Sequence, residues 1–226
     1  MVAGGSGRRF GGPKQFLQLA GRPVAAWSVD AARSVSDGVV LVVPGDPASG
    51  DTDLGDPASG GTDCHPGARS MGADVVVAGG PSRAESVRAG LGVVPDEAAI
   101  IVVHDAARPL AGPPLFAAVV EAVRAGGADG AIPVLPVVDT LKRASDGTIR
   151  STVDRDGLVA VQTPQAFVAS TLRAAHRSAG QATDDAALLE RLGATVCTVD
   201  GDPRNVKLTR PEDLEVAEAL IGAAAR

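Results

Sequence analysis

The chain has 226 residues, 45% of them hydrophobic, and carries 27 acidic against 21 basic side chains for a net charge of −6. That size suits a single α/β domain over residues 1–226, and the acidic balance excludes nonspecific nucleic-acid binding as the main task, so any cationic site must be local. No apolar run reaches the roughly eighteen residues of a membrane span and no basic-then-apolar leader is present, so a cytoplasmic protein is expected, with no membrane partner.

The first fourteen residues, Met1-Val-Ala-Gly-Gly-Ser-Gly-Arg-Arg-Phe-Gly-Gly-Pro-Lys14, combine glycines with three cations. Glycines let backbone N–H groups approach a phosphate, and Arg8, Arg9 and Lys14 supply charge, so the stretch reads as a polyanion cradle. It is neither a Walker loop, since Gln15 follows Lys14, nor a dinucleotide fingerprint, since Phe10 stands where the third small residue belongs. The chain has only three lysines, Lys14, Lys142 and Lys207, among its 21 basic residues, which makes each a candidate for phosphate chemistry. A buried strand normally leads into such a loop. Only Met1-Val2 precede Ala3, so that strand is expected to be missing and Ala3 and Gly4 weakly anchored.

Further along, helical patterns at 23–35, 82–93, 113–126, 168–178, 183–192 and 211–223 alternate with apolar runs at 39–43, 74–77, 100–103, 131–134, 158–161 and 195–199. Fully apolar strands are buried on both faces, which predicts a mostly parallel, Rossmann-like sheet in a three-layer α/β sandwich. Ser82-x-x-Glu85 and Thr209-x-x-Glu212 fit capping boxes, with Pro211 in the first turn of the last helix. Residues 44–72 hold a repeated Gly-Asp-Pro-Ala-Ser-Gly and read as a mobile insertion without catalytic role. Cys64, inside it, and Cys197 lie in unrelated contexts, so neither a zinc site nor a disulfide is expected. Residues 136–156 are polar around a Ser145-Asp-Gly147 turn and read as a protruding β-hairpin arm that completes itself on a second subunit.

Chemistry-bearing residues follow the strands. His104-Asp-Ala-Ala-Arg-Pro109 comes directly after the run at 100–103, where open α/β sheets bind ligands. Asp105 there can hold a metal or a substrate hydroxyl, Arg108 can clamp a phosphate or pair with Asp105, and His104 is a packed histidine or one that supports a neighbour. Gly79-Gly-Pro-Ser-Arg-Ala-Glu-Ser86 offers backbone N–H groups and hydroxyls suited to reading a nucleobase. Thr163-Pro-Gln165 and Asn205-Val-Lys207-Leu-Thr209 complete a set that converges with the glycine-rich loop on one sheet edge.

Taken together, these segments, with Asp139–Arg143, Val153-Asp-Arg155, Thr183-Asp184 and Asp213-Leu214, resemble the 2-C-methyl-D-erythritol 4-phosphate cytidylyltransferase family over nearly the whole chain outside 44–72. The resemblance implies transfer of CMP from CTP to 2-C-methyl-D-erythritol 4-phosphate with release of pyrophosphate, in non-mevalonate isoprenoid synthesis, with Mg²⁺ bridging the triphosphate. It further implies that Arg9, Lys14 and Lys207 stabilise the transition state, and that Asp105 engages substrate hydroxyls or the metal beside Arg108 and Thr163. In the same pattern Ala3, Gly4, Gly5, Gly7, Gly80 and Ser86 take the nucleotide, while Thr140 and Arg155 reach the partner's site in a homodimer. A ribitol-5-phosphate cytidylyltransferase, or a catalytically impaired nucleotide-binding homologue, fits the same motifs.

Overall fold

In the computed structural model, which describes residues 1–4, 10, 12–45, 67–178 and 182–224, strands and helices alternate along the chain. A short ribbon of β1 (Gln18–Leu19) and β2 (Arg22–Pro23) leads into α1 (Val24–Arg33), followed by β3 (Val40–Pro44), β4 (Val75–Gly79) and α2 (Arg83–Leu91). Next come β5 (Ile100–Val103), α3 (Pro113–Arg124) and β6 (Gly130–Pro136), then the hairpin strands β7 (Leu141–Ser145) and β8 (Thr148–Val153). The chain continues through β9 (Val159–Val161), β10 (Gln165–Val168), α4 (Ala169–Ser178), α5 (Ala186–Arg191), β11 (Val196–Asp200) and α6 (Glu212–Ala224).

The sheet is mixed. Its strands run β11-β6-β10-β5, with β9 also on β6, and β3 and β4 form a parallel pair. Val2 joins the two parts through parallel bridges to Val42 and Asp105. The N–H of Val2 donates to His104 O at 2.7 Å, that of Ala3 to Val42 O at 2.7 Å, and Ala106 donates back to Val2 O at 3.0 Å. The expected weakness at Ala3 is therefore corrected: three residues suffice to occupy the position between β3 and β5, because ladder bonds form on both sides and Ala3 is buried.

The mostly parallel expectation also needs correction. β11 and β6 are parallel, but β10 runs antiparallel to both β5 and β6, and β9 antiparallel to β6. β10 is absent from the sequence prediction because four residues between Pro164 and a helix carry no strand period of their own. Conversely, the apolar run at 158–161 is no core strand. Val159 and Val161 are exposed, since β9 pairs along one side only.

Successive residues of β6 and β10 enter different clusters. Ala131 and Ala166 pack with Val119 and Val123 of α3, whereas Ile132 and Phe167 pack with Val87, Leu91, Leu172 and Leu189 of α2, α4 and α5. This is the period-two alternation of strand side chains at work. Gly130 is required here, since a Cβ would lie 2.6 Å from Phe167 Cδ1. Ser82 and Glu85 form the predicted capping box, with Glu85 N–H to Ser82 Oγ at 3.2 Å and Ser82 N–H to Glu85 Oε2 at 2.9 Å. At α6 the acid is Asp213 instead of Glu212: its Oδ2 accepts from the N–H groups of Thr209 at 2.6 Å and Arg210 at 2.8 Å.

The hairpin turn falls at Asp146-Gly147, both with positive φ, as a type of turn favoured by Asp-Gly requires. Most of the 44–72 segment, including Cys64, lies outside the described residues. Its end does not fit a mobile reading: Ala68 and Met71 are buried against Val29 and Leu41 in the core.

Candidate active site

β5 delivers its last residue, Val103, into the core, keeps His104 buried just beyond the carboxyl end of the strand and presents Asp105 to the cavity. Three further segments reach the same place. They are the start of α2, the Gln162–Gln165 segment between β9 and β10, and the stretch ahead of α6. Together they line a cavity of about 390 Å³ with Arg83, Asp105, Arg108, Thr163, Gln165 and Lys207 on its wall, a size within the small-molecule range.

Asp105 is the electrostatic centre. Its Oδ1 lies 3.1 Å from Arg83 Nε and its Oδ2 2.7 Å from Lys207 Nζ, and the side chain is only 13% exposed. Burial alone would push the carboxyl up, but the Arg83 guanidinium and the Lys207 ammonium outweigh it and hold Asp105 below the usual carboxylate range. Arg83 also meets the buried Asp185, Nη1 to Oδ2 at 2.8 Å. Desolvation works against its charge, yet the two carboxylates raise its pKa.

A chain of hydrogen bonds fixes the opposite wall. His104 is fully buried against Phe116, and burial pushes its imidazole down to about 3, so the ring is neutral. Nε2 lies 3.1 Å from Arg108 O, which only accepts, so the proton sits on Nε2 and Nδ1 is an acceptor. The Thr163 hydroxyl, 3.1 Å from Nδ1, therefore donates to His104 while accepting the Asp105 N–H at 3.1 Å. With its proton committed, Thr163 can offer a ligand a lone pair only. His104 is thus the supporting histidine, and the packed one as well.

Arg108 does not pair with Asp105. It donates to Asn205 O at 2.8 Å and Val161 O at 3.3 Å, and its buried Nε has no hydrogen-bond partner. Desolvation lowers its pKa against the opposing pull of Asp105. An arginine bonded to carbonyls, with charge left uncompensated, suits an anion. Asn205 donates to Thr163 O at 2.9 Å and Gln162 Nε2 to Asp202 O at 2.9 Å, and these buried amides lock the segment that carries Lys207. Lys14, in a 3₁₀ turn at Lys14–Phe16, donates to Leu208 O, which sets the two lysines on one strip of backbone.

On the nucleotide side, Gly4 and Gly79 are both packed against Ser86, where a Cβ on either would come within 2.8 Å of its Oγ. Ser86 is buried, and its hydroxyl lies 3.0 Å from Ser82 O and 3.3 Å from Gly80 O. Thr140 and Arg155 are exposed beside the hairpin strands, Arg155 donating to Val138 O, and neither lines the cavity of its own chain. Arg9, Gly5 and Gly7 lie outside the described residues.

The motifs include Arg83 and Gln165 without a role for either, and they do not include Gln162, His176 or Asp185. The Thr-Asp-Asp185 triplet was a usable signal for the last of these. As a metal ligand Asp105 fits poorly, since both of its oxygens already face cations and no cluster of three or more His, Cys, Asp or Glu side chains able to hold an ion occurs among the described residues.

This arrangement can be set beside known proteins. The family described as 2-C-methyl-D-erythritol 4-phosphate cytidylyltransferase matches residues 1–223. A protein of that description from Nocardia farcinica is 42% identical over 97% of this chain and 91% of its own. The "Bifunctional enzyme IspD/IspF" of Anaeromyxobacter dehalogenans is also 42% identical over 99% of this chain, which spans 56% of that protein's length. The crystal structure of the cytidylyltransferase from Thermus thermophilus superposes with a TM-score of 0.76 at 36% identity, covering 93% of this chain and 94% of that one. With agreement along nearly the whole chain in both sequence and fold, and with the pocket where the motifs placed it, this protein belongs to the 2-C-methyl-D-erythritol 4-phosphate cytidylyltransferase family.

Proposed function

We propose that this chain transfers CMP from CTP to 2-C-methyl-D-erythritol 4-phosphate, with loss of pyrophosphate. The observation that carries the reading is the convergence of Arg83, Asp105, Arg108, Thr163 and Lys207 on one cavity, with Lys14 bonded next to Lys207, in a chain matched end to end by that family. A phosphate oxygen of the alditol attacks the α-phosphorus of CTP, a P–O bond forms there, and the bond to the bridging oxygen of pyrophosphate breaks. The attacking phosphate is already anionic, so no general base is required, and the neutral His104 with its Nδ1 engaged is consistent with that.

Catalysis is then positioning plus neutralisation of charge. Lys14 and Arg9 stabilise charge on the triphosphate and Lys207 assists. Asp105 orients Lys207 and accepts from substrate hydroxyls, Arg108 holds anionic oxygen and Thr163 offers its lone pair. Ala3, Gly4 and Gly80 border the base, with Gly5 and Gly7 on the phosphates and Ser86 shaping the edge beneath Gly4. Both oxygens of Asp105 already face cations, so Mg²⁺ accompanying CTP would rely chiefly on phosphate oxygens as ligands and would supply charge neutralisation there. The helices take both faces of the sheet as a three-layer sandwich, and the β7–β8 hairpin is an arm that carries Thr140 and Arg155 to the partner's site in a cytoplasmic homodimer.

The test is product formation with each donor and acceptor in turn. Cytidylyl product is expected with CTP, Mg²⁺ and methylerythritol phosphate together. Equal rates with UTP or ATP would refute the base assignment, and faster turnover of ribitol 5-phosphate would replace the acceptor.

A further inference from the structure

Asp105 sits in a longer line of charge. Arg83, the first residue of α2, is shared between two carboxylates, Nε on Asp105 Oδ1 at 3.1 Å and Nη1 on Asp185 Oδ2 at 2.8 Å. Asp185 is 1% exposed, and its other oxygen lies 2.9 Å from His176 Nε2 of α4. Lys207 closes the line on Asp105 Oδ2 at 2.7 Å. Asp184, the neighbour, lines the cavity and caps α5 through Ala187 N–H at 3.1 Å. Asp185 does not touch the cavity. A buried carboxylate is costly to keep, and an apolar side chain would fill the same space, so its retention calls for a reason other than packing.

The geometry of the guanidinium supplies one. A guanidinium facing a single carboxylate takes both oxygens in a fork-to-fork pair. Here Asp185 holds Nη1, and Nη2, the arm that would fork with Nε onto Asp105, is buried without a hydrogen-bond partner. We propose that Asp185 is a positioning residue for the reaction: by holding one arm of Arg83 it restricts that guanidinium to one oxygen of Asp105 and leaves the other oxygen to Lys207. Without Asp185, Arg83 closes on both oxygens of Asp105 and Lys207 is released from its place beside the substrate phosphates. The consequence for turnover rests on the function proposed above, whereas the consequence for Lys207 does not.

Three lysines make the contact directly observable, because full-length protein labelled with [ε-¹³C]lysine gives one ε-methylene signal for each. Asp185→Asn should move the Lys207 signal, assigned by Lys207→Arg, toward that of an exposed lysine. The same variant should lower kcat by roughly tenfold or more with KM for CTP kept within about threefold, since positioning is lost and nucleotide binding is not. In an Arg83→Lys background, where no fork exists to capture Asp105, Asp185→Asn should leave the Lys207 signal in place. A purely structural role for Asp185 would instead move it in both backgrounds, and that result, or an unmoved signal in Asp185→Asn alone, overturns the proposal. Should the Asn variant not fold, Asp185→Ser, which removes the charge and admits a water, replaces it in both backgrounds. The signal is read without substrate, so its failure to move counts against Asp185 even when the wild type turns over normally. Absence of wild-type turnover alongside a moved signal overturns the reaction assignment alone.

Discussion

At the scale of single residues, the site is governed by which charges have partners and which protons are committed. Lys14 donates to the carbonyl of Leu208, the residue after Lys207, and in the proposed reaction Lys14→Ala would remove charge needed mainly in the transition state. Its turnover should fall by about two orders of magnitude or more with little change in melting temperature, as steady-state rates and thermal denaturation would show. His104 supports a pH prediction. Its folded pKa, about 3, lies below the ordinary value of 6.5, so the unfolded chain binds the extra proton first as pH falls. The neutral ring therefore contributes stability that is fully present above pH ~6.5 and is lost progressively down to about pH 3, by an amount on the order of 5 kcal/mol. In His104→Gln this part of the acid slope should vanish, whatever the variant's stability at pH 7, and denaturant midpoints at pH 7, 5 and 4 would measure it. Asp105 and Arg108 were legible from a motif that follows a strand end, and Lys207 from one that precedes the last helix. The pairing of Asp185 with Arg83 and that of Gln162 with Asp202 were not, because the partners come from segments distant in sequence and only folding brings them together.

Among the elements, helix termini and strand junctions separate local from tertiary causes. The α2 capping box could be read directly from Ser82-x-x-Glu85, since both halves of it are local. At α6 the same pattern misled, because Thr209 and Arg210 turn their N–H groups to Asp213, four and three residues on. Asp213→Ala should therefore cost about 1 kcal/mol or somewhat more, and Glu212→Ala less than about 0.5 kcal/mol, in urea unfolding. Gly130 marks a different kind of constraint. Gly130→Ala places a methyl against the ring of Phe167 and should cost roughly 1–3 kcal/mol through forced repacking between β6 and β10, seen as a lowered midpoint with an unchanged slope. The β10 strand that creates this contact had no periodic signature. Its conformation comes from the two neighbours it pairs with, not from its own four residues.

For the molecule as a whole, the exposed Val138 and Ile149 and the outward Thr140 and Arg155 suit an arm that functions against a second copy. Lys14 would then serve its own site and Arg155 the partner's. Lys14→Ala and Arg155→Ala homodimers should each be nearly inactive, and refolding an equal mixture should restore roughly a quarter of wild-type activity, since about half the dimers are mixed and each holds one complete site. No recovery, with mixed dimers confirmed by native mass spectrometry, would make the hairpin purely structural. The division between what could be read early and what could not has a physical basis. The amino-acid sequence by itself determined the α/β alternation, the hairpin turn at Asp146-Gly147, the α2 cap and the motifs bound for one sheet edge, because apolar period, turn chemistry and capping act over a few residues. Strand direction in the mixed sheet, the edge position of β9, the seating of Met1–Ala3 between β3 and β5, and the sharing of Arg83 between Asp105 and Asp185 were decided only by the tertiary structure. Each depends on hydrogen-bonding or charged partners far away in the chain, and such partners leave no local trace.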